Sequence, residues 1–65
     1  MNIQLNGKQH STMATTLVQL LDQAGFGAAT VATAVNDSFV PLALRTQHVL
    51  RDGDQIEVLA PMQGG

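Results

Sequence analysis

Gly64 and Gly65, the last two residues of this 65-residue chain, are the positions where chemistry is most readily placed. With Gly65 as the terminus, its α-carboxylate is the expected reactive group, because two residues without Cβ atoms can thread a channel too narrow for side chains. A carboxylate that must enter another enzyme's active site needs that slimness. A free α-carboxylate has a pKa near ~3.3–3.7, so at neutral pH it is an anion and must be activated before its oxygen can be replaced. The same glycines also read as an incidental chain end, since termini concentrate disorder.

The other reactive side chains form no matching set. Cysteine is absent, which excludes disulfides, thiolate metal sites and a thiol that could itself carry sulfur or an acyl group. His10 and His48 have no second ligand or paired carboxylate at a suitable spacing, so they read as structural or solvated and no metal site is expected. Asp52 and Asp54 bracket Gly53, but a calcium loop needs a longer run of oxygen ligands, and turn chemistry is the simpler reading. Gly25 and Gly27 follow a helical segment and precede no lysine, the reverse of a phosphate-cradling loop. Ser11, Ser38 and the threonines lack a recognisable base and orienting group. The chain therefore reads as a non-enzyme with no cofactor of its own.

Composition narrows the setting. Hydrophobic residues make up 45% of the chain and charged residues 12%, with two Phe and no Trp or Tyr. Such a chain folds around an aliphatic core, and its length sets a single domain over residues 1–65. The formal net charge is −2, and Lys8, Arg45 and Arg51 are scattered, so nucleic acid is not an expected partner. The N-terminus lacks a basic segment followed by an apolar one, and no run approaches membrane-spanning length; no membrane association and a cytoplasmic location are expected.

The elements that would position the terminal glycines can be read from periodicity. Ile3 and Leu5 alternate with polar residues and lead into Asn6-Gly7, a strong signal for a hairpin between residues 2 to 6 and about 8 to 13, the second strand being polar and edge-like. Thr16 with Gln19 makes a capping box, and Leu17, Leu20, Leu21 and Ala24 fall on one helical face. That helix should end at Gly25, with Phe26 folding back onto its last apolar turn. Val31 to Val35 reads as a central strand with Val31 and Val35 facing the core. Asn36-Asp37-Ser38 then turns into a short edge strand, Phe39-Val40, limited by Pro41. Residues 42 to 50 are expected to be irregular or to form one helical turn that brings Val49 and Leu50 into the core. Arg51 to Asp54 is a tight turn, followed by a last strand with Ile56 and Val58 inward. Leu59 then points outward, either as part of a docking surface or as a lone exposed residue. The sum is an α+β domain with one helix across a mixed sheet of four to five strands, and residues 60–65 as a flexible tail.

In this order and spacing, Asn6-Gly7, Val35-Asn36, Val40-Pro41, the run Leu50 to Val58 and the terminal Gly64-Gly65 resemble the thiamine biosynthesis sulfur carrier family over essentially the whole chain. The resemblance implies a ubiquitin-like β-grasp fold. One departure is Leu42, where family members often carry arginine, which bears on any partner contact made there and not on the tail.

The resemblance also implies a mechanism. An ATP-dependent adenylating enzyme of the ubiquitin-activating type would join AMP to the Gly65 carboxylate. Sulfur from cysteine, supplied through a cysteine desulfurase, would replace it to give a thiocarboxylate, and thiazole synthase would accept that sulfur. ATP belongs to the activating enzyme. Gly64 would be needed for entry of the tail into partner active sites, and Leu59, Pro61 and Met62 are candidate docking residues, methionine being adaptable enough to meet two partners. Rival readings are the molybdopterin synthase small subunit, which uses the same terminal chemistry with another acceptor, a protein modifier joined through Gly65 to lysines, and a plain binding module. Chain length and residues 50 to 58 favour thiamine.

Overall fold

The computed structural model describes residues 1–27 and 30–60. It begins with the expected hairpin, β1 (Asn2–Leu5) and β2 (Lys8–Ser11), paired antiparallel with Leu5 opposite Lys8. Asn6 and Gly7 bridge them with φ of 52° and 81°, the positive values that a two-residue hairpin loop requires and that Asn and Gly tolerate.

The helix α1 covers Leu17–Gln23. At seven residues it is too short to persist alone, so its ends and its packing must hold it. Thr16 accepts a hydrogen bond from the Gln19 backbone, and the Gln19 side chain reaches back to the cap, completing the capping box. At the far end Gly25 takes φ 94°. The Phe26 N–H donates to the Leu21 carbonyl at 2.7 Å and the Gly25 N–H to the Asp22 carbonyl at 3.3 Å, a pair that satisfies carbonyls left over at a helix C-terminus. Phe26 packs against the core as expected.

The remaining strands are β3 (Ala32–Val35), β4 (Ser38–Val40) and β5 (Gln55–Leu59). The sheet has five strands in the order β2-β1-β5-β3-β4, with β5 parallel to β1 and antiparallel to β3. Both expected edge strands lie at the edges. Ile3, Leu17, Leu20, Leu21, Val35, Val40, Leu50, Ile56 and Val58 form the core between helix and sheet.

Three features differ from expectation. Thr33, and not only its valine neighbours, faces the core at 2% exposure, while Val31 is half-buried. Thr33 is tolerated there because its hydroxyl donates to the Val40 carbonyl at 2.8 Å. Residues Leu42–Leu44 form a 3-10 turn with no buried residue, and of residues 45 to 50 Leu50 is the one apolar residue that enters the core, with Arg45 buried beside the turn. Val49 is 64% exposed. The reason is its extended backbone, paired in an antiparallel bridge with Thr16; consecutive residues in that conformation point to opposite sides, so Val49 and Leu50 cannot both face in. Thr12 is also buried, its hydroxyl accepting from the Ala14 N–H at 3.0 Å and bonding Gln23. No helix among the described residues is long and apolar enough to cross a membrane.

Candidate functional site

The tail leaves the sheet from β5, a central strand, and the two hairpin turns clamp that strand at both ends. Beside β1, the Asn6 N–H donates to the Ile56 carbonyl at 2.9 Å, and the Asn6 side-chain oxygen accepts from the Val58 N–H at 2.8 Å. The parallel ladder ends at Leu5 opposite Ile56; the asparagine amide continues it for one more bond. At the other end, Asn36 and Asp37 make the β3–β4 turn with φ of 51° and 68°. The Asn36 side-chain oxygen accepts from the Gln55 N–H at 3.0 Å, and its Nδ2 donates to Asp54 at 3.0 Å. Each asparagine is used twice, for its left-handed backbone and for its amide.

Asn6→Gly isolates the second use, because glycine keeps the turn and loses the acceptor. The part-buried Val58 N–H is then without a partner, which costs on the order of 1–3 kcal/mol. Hydrogen exchange at the Val58 amide should quicken about tenfold or more, with amides of β3 and β4 changing less.

Leu59 points outward as expected, 63% exposed. It sits opposite Ala32, while in the next row Ala34 lies between Phe39 and Glu57. Phe39 is 68% exposed. The outer face at the foot of the tail is thus a shallow apolar surface of two large side chains separated by alanines. An adjoining depression of about 450 Å³ is lined by Gln4, Asn6, Gly7, Gln55, Glu57 and Leu59 among others. Pro61, Met62, Gly64 and Gly65 lie outside the described residues.

The other sequence candidates are placed as follows. Asp52 accepts from the Asn2 N–H at 2.7 Å, and Asp54 from the Arg51 N–H at 2.9 Å, so both carboxylates serve backbone turns. His10 and His48 are half-buried; His10 faces inward opposite Ile3, with a buried Nε2 that has no hydrogen-bond partner. Phe39 was not expected at the site, although an aromatic one position out of phase with inward Val40 must face out. The sequence marks Asn36 only as a turn residue, yet it follows the last apolar residue of β3 as Asn6 follows Leu5, and that repetition is the visible signal.

A mixed five-stranded sheet packed on one helix, with its C-terminal strand central and beside β1, is the ubiquitin-like β-grasp architecture. Solved structures agree. A crystal structure of the thiamine biosynthesis protein ThiS from Geobacter metallireducens superposes with a TM-score of 0.86 at 26% identity, covering 100% of both chains. The NMR solution structure of a thiamine biosynthesis protein from the same organism gives 0.78 at 25% identity, covering 100% of this chain and 88% of that one. The sulfur carrier protein ThiS of Thermus thermophilus is 39% identical over 62 residues, 94% of this chain and 95% of that protein. The ThiS family model matches residues 3–65. The chain belongs to the ThiS family, and its resemblance to the sulfur carriers of thiamine biosynthesis holds over nearly its full length.

Proposed function

We propose that this protein is a sulfur carrier of thiamine biosynthesis whose cargo is held on the α-carboxylate of Gly65. The observation that carries the reading is the family match, which runs through Gly64-Gly65 in a chain without cysteine. Such a chain must hold sulfur somewhere other than a thiol.

In the first step an ATP-dependent enzyme of the ubiquitin-activating type transfers AMP to the carboxylate, and pyrophosphate leaves. The mixed anhydride makes the acyl carbon electrophilic. A persulfide sulfur derived from cysteine through a desulfurase then displaces AMP to give an acyl disulfide, and a second thiol of the partner reduces the S–S bond, releasing the thiocarboxylate and leaving a disulfide on the partner. Thiazole synthase takes this sulfur, and the carboxylate is returned for another round. The protein is a recycled co-substrate, not a catalyst, and ATP is bound by its partner.

The folded body supplies docking. Ordering each residue of the tail costs roughly 1–2 kcal/mol, which contacts elsewhere must offset. Leu59 and Phe39 on the outer face, with Pro61 and Met62 nearer the tail, are the docking residues in this reading.

Intact-mass measurement of protein isolated from its source tests the chemistry. A fraction heavier by one oxygen-to-sulfur exchange, mapped to Gly65 and consumed by thiazole synthase, is the expected result. Consumption only by a molybdopterin-forming partner would reassign the acceptor. If no such species forms even with a cognate activating enzyme, ATP and a sulfur donor, sulfur carriage is wrong.

A further inference from the structure

Among the described residues Arg45 is the one charged side chain packed inside this fold, and the tail chemistry gives it no task. It is 7% exposed, and the hydrogen-bond partners of its guanidinium are neutral. Nε donates to the Thr33 hydroxyl at 2.9 Å and Nη2 to the Val31 carbonyl at 2.5 Å. Among the described residues, no carboxylate is one of them. A cation removed from water is ordinarily matched by an anion, because hydrogen bonds to neutral oxygens replace only part of its hydration.

Arg45 also lines an open groove of about 310 Å³ between α1 and the 3-10 turn, with Val18, Leu21, Phe26 and Leu42 as apolar walls. Leu42 is 74% exposed and Val18 38%, so the apolar wall is open to an incoming group. Asp22 lines the groove too, but its Oδ1 leans over Gly27 and it is not a partner of Arg45. The groove lies toward the end of the sheet from which the tail departs. Val31, whose carbonyl Arg45 holds, immediately precedes Ala32, which pairs with Leu59.

We propose that this groove is a second docking site, filled by an apolar side chain and a neighbouring carboxylate of the activating enzyme that receives the tail. Arg45 is the carboxylate's partner. The planar guanidinium fork suits a carboxylate, and apolar walls strengthen the pairing by excluding water. The chain's net charge of −2 and its lack of a basic cluster fit a single matched carboxylate, not an anionic membrane or nucleic-acid surface. The inference rests on the sulfur-carrier reading for the identity of the partner.

The test uses the full chain and the adenylating enzyme of the same organism, with binding measured by calorimetry and adenylation by pyrophosphate release. Leu42→Glu places a carboxylate on the wall of the groove, and Leu42 is exposed enough that the body should fold unchanged. It should weaken binding about tenfold or more, raising KM for adenylation with kcat retained. Arg45→Gln, checked for folding by its thermal transition, should bind more weakly with a flatter dependence on salt than the parent. Equal KM for the parent and Leu42→Glu, or an unchanged salt dependence in a folded Arg45→Gln, overturns the groove. Failure of the parent chain itself to be adenylated counts instead against sulfur carriage.

Discussion

A chain carrying Gly65→Val will fold as the parent does and be adenylated at least about 100-fold more slowly. The substitution lies beyond the last described residue, Ala60, and changes none of the residues that form the described core or sheet. Its effect is confined to the reacting end. Valine restricts the backbone to conformations that glycine is not bound by, and puts a branched side chain beside the carboxylate that must approach the α-phosphate of ATP. Displacing a reacting group by about 1 Å can cost on the order of 10²-fold in rate. Pyrophosphate release and a thermal unfolding curve, measured side by side, check both halves. Normal turnover would sink the assignment of Gly65. Leu59→Glu should behave in the opposite way, raising KM through lost docking while kcat at saturation is kept.

The second large effect is on stability. Leu20 is fully buried, on the helix face pressed against the sheet. Truncating such a leucine to alanine costs about 2.7–5 kcal/mol, through lost burial and the cavity left behind. A core in a domain of this size rarely supplies more than about 3–5 kcal/mol in all. Leu20→Ala should therefore leave a large share of the molecules unfolded at 37 °C, and its urea midpoint should fall toward zero. A loss below about 1 kcal/mol would mean that Leu20 is not the central contact described here. The variant keeps Gly64 and Gly65 yet should fail as a carrier, separating the need for a body from the need for a tail.

The elements most legible in the sequence were those specified by neighbours along the chain. Asn6-Gly7 can hardly be anything but a tight turn, and Thr16, Gln19, Gly25 and Phe26 mark both ends of a helix whose apolar face follows from spacing alone. Alternation sufficed for β5, including outward Leu59. Legibility failed where burial depends on partners far away. Thr33 is inside because the Val40 carbonyl and Arg45 meet its hydroxyl, and neither contact leaves a trace in local pattern. Arg45 follows Leu42-Ala43-Leu44, a segment whose hydrophobicity suggests the reverse of what is found, with the leucines outside and the arginine in. Val49 escapes the sequence pattern because it and Leu50 are both apolar, yet in extended backbone adjacent side chains point to opposite sides and one of them must face out. At the site, outward Leu59 is legible in the sequence and Gly64 and Gly65 lie outside the described residues, whereas Phe39 and the clamping asparagines emerge only once the sheet order sets them around β5.

Pairing β5 with β1 joins segments from opposite ends of the chain, as in the bond from Val58 to Asn6 across 52 positions. Contacts of such separation form late and slowly, because a long loop must close before they give anything back. During synthesis the sheet cannot be completed until nearly every residue has emerged, for β5 lies in its middle. A nascent chain broken off before that strand would have two half-sheets and an open core, and would be cleared as unfolded protein. Any molecule that achieves the native body has therefore been translated at least through Leu59, and folding itself screens out chains broken off before β5.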